Sequence, residues 1–356
     1  MPEGPWLLVV GMHRSGTSAV TGALGQLGFG VPILDDRFDA SEDNPDHWES
    51  RAIGLHDDWL LKRLGGTWDG PAHPDPGWEA DPDLADAEQG DPAAAASFAF
   101  PDSGPVAWKD PRACLLLPHW LAHLPKPVAA VFVWRSPLSV ARSLRARDGM
   151  ALADAVALWE RYNRSGLAGL VGVDTFVTTY ESMVEDPLGQ LGALATWLGD
   201  LPQFAPHAPH WDLAHAAASI SPRLRRQQAT GDQELLLEEH RHLVEHLDSL
   251  DGPHRPLTVL PPGAESAWTT ALLDDRRQAT VLRDTLAEHV VAAEALAVEV
   301  AQRLKTARLQ LEGARTELAN MHQLYEDMRA STSWRVTRPL RQAVALKSRK
   351  SSPSVD

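Results

Sequence analysis

Four short apolar runs, at residues 6–11, 106–108, 128–134 and 175–180, predict buried strands. A helical pattern follows each of them. Buried strands that alternate with helices indicate an α/β protein, an open parallel sheet with helices on both faces. Because ligands of such sheets bind at the carboxyl ends of the strands, we expect the functional residues just after each run.

Beyond the sheet, the pattern from residue 265 to 330 predicts one long helical segment. From Ala293 to Met328 the apolar positions step by four and three, a heptad seam that favours a coiled coil. This seam is the predicted surface for a homo-oligomer through residues 293–328, although alanines at several core positions would make the association weak. The alternative is a long helix that lies on the globular domain.

The rest of the chain divides by composition. We predict an α/β domain at 1–252, a Pro-rich linker at 253–264, the helical coiled-coil segment at 265–330 and a basic tail at 331–356. Residues 69–105, rich in Pro, Asp, Gly and Ala, form a long loop insertion that is either a lid or disordered. The basic tail could contact an anionic membrane surface or a partner, or could simply be solvated.

Charge and composition exclude several classes. The chain has 356 residues and a formal net charge of −15, which argues against a nucleic-acid-binding protein. Its N-terminal residues lack the basic stretch and the long apolar core that are typical of a signal peptide. No apolar run in the chain reaches the roughly 18 residues of a membrane span. We therefore expect a cytoplasmic protein whose tail reaches the inner membrane surface if it binds lipid.

The turn after the first strand is a candidate phosphate site. It begins at Gly11 and leads into a helix, so that backbone N–H groups and the helix N-terminus face one point. The Gly11-x4-Gly16 spacing is that of a nucleoside-triphosphate P-loop, but Thr17 stands where those enzymes keep a lysine, and Arg14 supplies the cation instead. The alternative is a structural turn without a ligand. The candidate binding residues of this turn are His13, Arg14, Ser15, Gly16, Thr17 and Ser18.

A second basic site follows the third run. Arg135 ends that strand, and Ser143 lies eight residues later on the next helix. Arg135 could also be a surface ion pair and Ser143 an ordinary helical serine. Lys109 ends the second run, in Lys-Asp-Pro-Arg, at the same predicted edge of the sheet. The alternative is a structural ion pair, either of Lys109 with Asp110 or of Asp110 with Arg112.

These motifs together resemble the sulfotransferases that use 3′-phosphoadenosine-5′-phosphosulfate (PAPS), of the bacterial type with a C-terminal coiled coil. The resemblance covers roughly residues 6–230 and implies a sulfotransferase-like fold. It implies that the Gly11 turn holds the 5′-phosphosulfate, that Arg135 and Ser143 hold the 3′-phosphate, and that Arg223 and Arg226 close over the nucleotide. It also implies that Lys109 contacts the transferring group and that no metal is needed.

The implied reaction is in-line transfer of a sulfuryl group to a hydroxyl acceptor. Arg14 and Lys109 are the candidate cations. Glu49 is the first candidate for the base, with Trp48 expected to raise its pKa by excluding water, and Asp110 is the second. Tryptophans in the loops favour a glycan or glycolipid acceptor, with small metabolites, other lipids and peptidyl tyrosine left open. The alternative functions are a P-loop kinase-like enzyme and an inactive coiled-coil scaffold.

Overall fold

The computed structural model describes residues 4–38, 48–81, 84, 92–100, 104–220 and 236–349. The chain divides into two units, the first ending at Val281 and the second beginning at Leu282. The strands are β1 (Trp6–Val10), β2 (Val106–Trp108), β3 (Val128–Trp134), β4 (Asp174–Thr179) and β5 (Gly252–His254). The helices that begin in the first unit are α1 (Thr17–Gln26), α2 (Arg51–Arg63), α3 (Pro92–Ala99), α4 (Ala113–His123), α5 (Pro137–Asp148), α6 (Leu152–Gly169), α7 (Tyr180–Glu185), α8 (Pro187–Gly199), α9 (Leu213–Ser219), α10 (Glu238–Ser249) and α11 (Ala267–Ala330).

The strands form one sheet in the order β2-β1-β3-β4-β5. The first four are parallel, with Leu7 opposite both Ala107 and Ala129, and β5 pairs antiparallel with β4. The carboxyl ends of β1, β2, β3 and β4 therefore lie along one edge. The four predicted strands are confirmed to within one residue at each end, and the fifth is an addition.

Alternate residues of β1 enter hydrophobic cores on opposite faces of the sheet, as strand geometry requires. Trp6, Leu8 and Val10 lie in a core with side chains of α2, α4, α5, α6 and α10. Leu7 and Val9 lie in a second core with side chains of α1, α7, α8 and α9. Helices thus cover both faces, which confirms the predicted α/β architecture.

The Pro-rich stretch at 253–264, predicted as a linker, belongs to the first unit. Its first residues form β5, and the carbonyl of the buried Leu257 accepts a hydrogen bond from the Gly172 amide, 2.8 Å away. The first turns of α11 also join this unit, where Thr269 and Leu273 are fully buried. Pro253 is accommodated in β5 because β5 is an edge strand, and the outer side of an edge strand needs no N–H donor.

The described parts of the predicted loop insertion at 69–105 pack against the first unit. The helix α3 lies within it, and Ala96, Ala99 and Phe100 are buried in the core. Trp78 packs against the same core from a short helical turn. The described residues of this insertion therefore form part of the hydrophobic core of the first unit.

The helix α11 runs for 64 residues, about 96 Å at 1.5 Å per residue. Its heptad seam is exposed: Leu304, Leu311 and Leu318 are 56%, 53% and 64% accessible. The long helix is confirmed, and the coiled coil stays a prediction. The second unit continues with α12 (Thr332–Val336) and α13 (Arg338–Arg349). None of the helices described is long and apolar enough to span a membrane.

Candidate functional site

The turn between β1 and α1 can be built only with glycine at two positions. A Cβ on Gly11 would lie 2.2 Å from the Val133 carbonyl oxygen of β3. Gly16 has φ of 90°, and a Cβ there would lie 2.2 Å from Cδ2 of Tyr180. The turn is therefore packed closely against β3 at Gly11 and against α7 at Gly16. Arg14 also has a positive φ, 68°, a strained backbone conformation that is uncommon outside functional turns.

The N-terminus of α1 presents unbalanced positive charge to this turn. No acidic residue lies in the first turn of α1, so the partial positive charge of the helix end is not neutralised by its own side chains. The buried Ser15 hydroxyl has no hydrogen-bond partner among the described residues. A buried hydroxyl without a partner costs free energy unless a ligand or water pairs with it. Both features suit an anionic oxygen.

The two predicted anion sites are in contact, although 121 residues separate Arg14 from Arg135. The Arg14 Nε donates a hydrogen bond to the Ser143 hydroxyl at 2.8 Å. The Arg135 Nη1 donates to the Arg14 carbonyl oxygen at 3.2 Å. Arg135 and Ser143 are almost fully buried. The structure thus brings the turn and the second basic site together as one region.

Packing against Tyr180 orients Arg135. The guanidinium lies 4.5 Å from the centre of the Tyr180 ring, a cation–π contact. The Glu181 carboxylate approaches the Arg135 Nε to 3.8 Å. Since Tyr180 also fills the space beside Gly16, one side chain touches both the turn and the second site. The sequence did not identify Tyr180 as part of the site.

Lys109 follows β2 and is only 2% exposed. Its ammonium group forms an ion pair with Glu49, just ahead of α2, and donates to the Ser18 hydroxyl at 3.2 Å. A buried ammonium needs such partners because burial removes its hydration. Three segments that are far apart in sequence therefore meet beside the turn, and two of the three residues were predicted as catalytic.

The charge state of Glu49 differs from the prediction. Burial alone would raise its pKa, but the positive charge and the hydrogen bond of Lys109 outweigh burial, and the pKa of Glu49 is lowered to about 2. The expected rise beside Trp48 is therefore wrong. Trp48 packs instead against Gly22 of α1, with the Arg37 guanidinium 4.2 Å from its ring centre.

Asp110, the second candidate for the base, holds Arg112. Its two oxygens accept hydrogen bonds from the backbone N–H, the Nε and the Nη2 of Arg112, at 2.8 to 2.9 Å. Burial raises the pKa of the Asp110 carboxyl, and the adjacent guanidinium opposes that rise. Arg112 also pairs with Asp58 at 2.9 Å and approaches Glu49 to 3.9 Å. Arg112, absent from the predicted site, thus helps to fix Glu49.

His13 lies on the other side of the turn, between aromatic rings. Its ring centre is 4.8 Å from that of Trp68 and 5.8 Å from that of Tyr162. The Nε2 is buried and has no hydrogen-bond partner among the described residues. Burial lowers the pKa of His13 well below its usual value, so the imidazole is neutral at pH 7. In a neutral imidazole the Nε2 can either accept a hydrogen bond from a ligand or donate one to it, according to the tautomer.

Arg223 and Arg226 lie outside the described residues. Within the described ranges, no three His, Cys, Asp or Glu side chains come together in an arrangement that could hold a metal ion.

No protein-family model and no curated protein matches the chain. Solved structures similar to it include the sulfotransferase domain from the Synechococcus PCC 7002 olefin synthase, 15% identical over 77% of this chain and 94% of that one, with a TM-score of 0.35. The sulfotransferase domain from the curacin biosynthetic pathway is 14% identical over 77% and 97%, with a TM-score of 0.31. A retinol dehydratase in complex with androsterone and inactive cofactor PAP is 14% identical over 70% and 80%, with a TM-score of 0.30. These values are too low to assign a family.

Proposed function

We propose that the chain is a sulfotransferase that moves the sulfuryl group of PAPS to a hydroxyl acceptor. The observation that carries the proposal is the contact between two basic sites, through Arg14, Ser143 and Arg135, at the N-terminus of α1. A nucleotide with anionic groups at both its 5′ and its 3′ positions requires two such sites. A nucleoside triphosphate requires one.

The proposed donor site uses the residues as follows. The backbone of the turn, with Ser15 and Thr17, would hold the 5′-phosphosulfate, because the N-terminus of α1 favours anionic oxygens. Arg135 and Ser143 would hold the 3′-phosphate. Planar guanidinium groups suit such oxygens and bind them in a fixed geometry. The unpaired Ser15 hydroxyl supports this assignment.

Lys109 and Arg14 would stabilise charge on the leaving oxygen during in-line displacement. In the structure, the Lys109 ammonium group forms an ion pair with Glu49. When an anionic donor competes for the ammonium, Glu49 loses part of its counter-charge, and its pKa rises toward the ordinary value. Glu49 would then be the base that accepts the proton of the acceptor hydroxyl. Asp110 is set aside as the base because both of its oxygens are engaged by Arg112.

The acceptor side is proposed to be a glycan or glycolipid hydroxyl. Trp68 stands beside His13, with the Arg147 guanidinium 5.5 Å from its ring centre. Indole faces suit the apolar faces of sugar rings, and a neutral His13 could hydrogen-bond a sugar hydroxyl. The kinase alternative is disfavoured because Thr17 replaces the P-loop lysine and Asp110, its candidate magnesium ligand, is occupied by Arg112.

The experiment is calorimetric titration of the purified chain with 3′,5′-adenosine diphosphate, with 5′-AMP, and with ATP plus magnesium. We expect the 3′-phosphorylated nucleotide to bind most tightly. Arg135→Ala should weaken that binding about 10- to 100-fold, as loss of hydrogen bonds to a charged group does, and should leave 5′-AMP binding nearly unchanged. The matched control is Arg145→Ala, an exposed arginine on α5, the helix that begins two residues after Arg135. A preference for ATP would favour the kinase, and the absence of any nucleotide binding would favour the scaffold.

A further inference from the structure

We infer that α12 and α13 form a surface that binds anionic lipid bilayers. This inference concerns the second unit alone and does not depend on the reaction proposed above. It rests on three features: the contacts that join α12 to α13, an exposed apolar row on these helices, and the exclusively positive charge of the sequence 331–350.

Trp334 and Arg341 hold the junction between α12 and α13. Ser331 caps α12, its hydroxyl accepting the Trp334 N–H at 3.2 Å. The Arg341 guanidinium lies 3.5 Å from the centre of the Trp334 ring. Arg341 also donates to the Thr337 hydroxyl at 2.6 Å and to the Trp334 carbonyl oxygen. These contacts fasten the start of α13 to α12, so the two helices present their side chains together.

The apolar row is formed by three side chains at intervals of four residues. Val336, Leu340 and Val344 are 72%, 70% and 67% exposed. Leu340 and Val344 are one helical turn apart and therefore share a face of α13. Scattered apolar residues on a surface need no explanation, but an aligned row on a helix with a polar opposite side is the pattern of an interfacial helix. Arg338 lies on that opposite side, since it is two residues from Leu340.

The charge of the segment selects the partner. Residues 331–350 contain six basic residues and no acidic one, in a chain whose net charge is −15. The basic residues are Arg335, Arg338, Arg341, Lys347, Arg349 and Lys350. Each basic residue near an anionic lipid surface contributes about 1 kcal/mol at physiological ionic strength. A nucleic acid would use these charges but not the apolar row, whereas an anionic bilayer uses both, with Trp334 at the level of the headgroups.

The experiment is co-sedimentation of the full chain with vesicles of phosphatidylcholine alone and with vesicles that also contain phosphatidylglycerol. We expect binding only to the anionic vesicles, and release by high salt. Leu340→Ser combined with Val344→Ser should weaken binding at least about tenfold, because two aliphatic side chains no longer enter the bilayer. Arg335→Gln combined with Arg338→Gln should weaken it to a similar extent.

The matched control is Leu309→Ser, which removes an equally exposed leucine from α11 and should leave vesicle binding unchanged. Circular dichroism checks that every variant keeps its helix content, and the urea denaturation midpoint checks that the first unit is as stable as in the wild type. The inference is overturned if the wild-type chain ignores anionic vesicles, or if Leu340→Ser with Val344→Ser binds them as the wild type does. It is also overturned if the wild-type chain binds duplex DNA more tightly than the anionic vesicles, since the partner would then be a nucleic acid.

Discussion

Replacing Gly16 by alanine tests whether the turn and the second basic site act as one region. The new Cβ would lie 2.2 Å from Cδ2 and 2.9 Å from Cγ of Tyr180, so the ring must move. An L residue at φ of 90° costs about 1–2 kcal/mol, and overpacking of a buried site costs about 1–3 kcal/mol. We therefore expect Gly16→Ala to lower the free energy of unfolding by about 3 kcal/mol, equivalent to a fall in Tm of about 6–12 °C.

The same displacement should reach Arg135, because the Tyr180 ring lies 4.5 Å from its guanidinium. A contact of that kind is worth about 1 kcal/mol or more when it is shielded from water. Binding of 3′,5′-adenosine diphosphate should therefore weaken about tenfold, in addition to any effect on the 5′ group. The two assays are urea denaturation and calorimetry.

Gly192→Ala is the control, since Gly192 lies within α8 and a Cβ there meets nothing within 4 Å. It should leave binding unchanged and should raise the stability by up to about 1 kcal/mol. If Gly16→Ala has the same stability as the wild type and binds the nucleotide equally well, Tyr180 does not pack closely against Gly16. The proposed link between the two sites is then refuted.

Two further predictions concern buried carboxylates. Glu49→Gln should abolish turnover and keep binding of 3′,5′-adenosine diphosphate; a wild-type kcat for this variant would remove Glu49 as the base. Glu160→Gln should destabilise the first unit by about 3 kcal/mol, because the fully buried Glu160 accepts hydrogen bonds from Arg164, His240, Ser266 and Thr269. The exposed Glu239→Gln is its control, with denaturation midpoints as the measurement.

The pH dependence of stability should also report Glu160. Burial alone would raise its pKa, but the hydrogen bonds from His240, Thr269, Ser266 and Arg164 lower it well below the ordinary value. The stabilisation is therefore complete above the unfolded pKa of about 4.3 and is lost as the pH falls below it. In Glu160→Gln this part of the acid destabilisation should be absent.

The sheet could be predicted because its strands carry their own signal. The runs that end at Val10 and Trp134 are continuous apolar segments followed by helical patterns, and a parallel strand buried on both faces has that composition. The strand β5 could not be predicted in this way. Gly252, Pro253 and His254 have no apolar run, and they are a strand only because β4 offers an unpaired edge.

The histidines of α10 show how tertiary contacts override a local pattern. His240, His242 and His246 all lie on α10, and their polar character alone would place all three at the solvated surface of the helix. His242 is exposed, but His240 is fully buried, where its Nε2 lies 3.1 Å from a Glu160 oxygen. Its partner is 80 residues away on α6. The local sequence of α10 does not identify which histidine is buried, because the burial of His240 depends on the position of Glu160 in the folded chain.

The candidate site could likewise be predicted only in part. The common location of Arg14, Lys109 and Arg135 could be predicted because each follows the end of a parallel strand, and the topology of the sheet brings those ends to one edge. The charge states of the side chains could not be predicted from the sequence, because they depend on which charged groups come into contact at that edge. Glu49 pairs with Lys109 across 60 residues, and its pKa consequently moves down where an apolar neighbour in the sequence suggested that it would move up. Motif spacing can therefore locate the cations of such a site, but the protonation state of a carboxylate beside them follows only from the distances between the folded side chains.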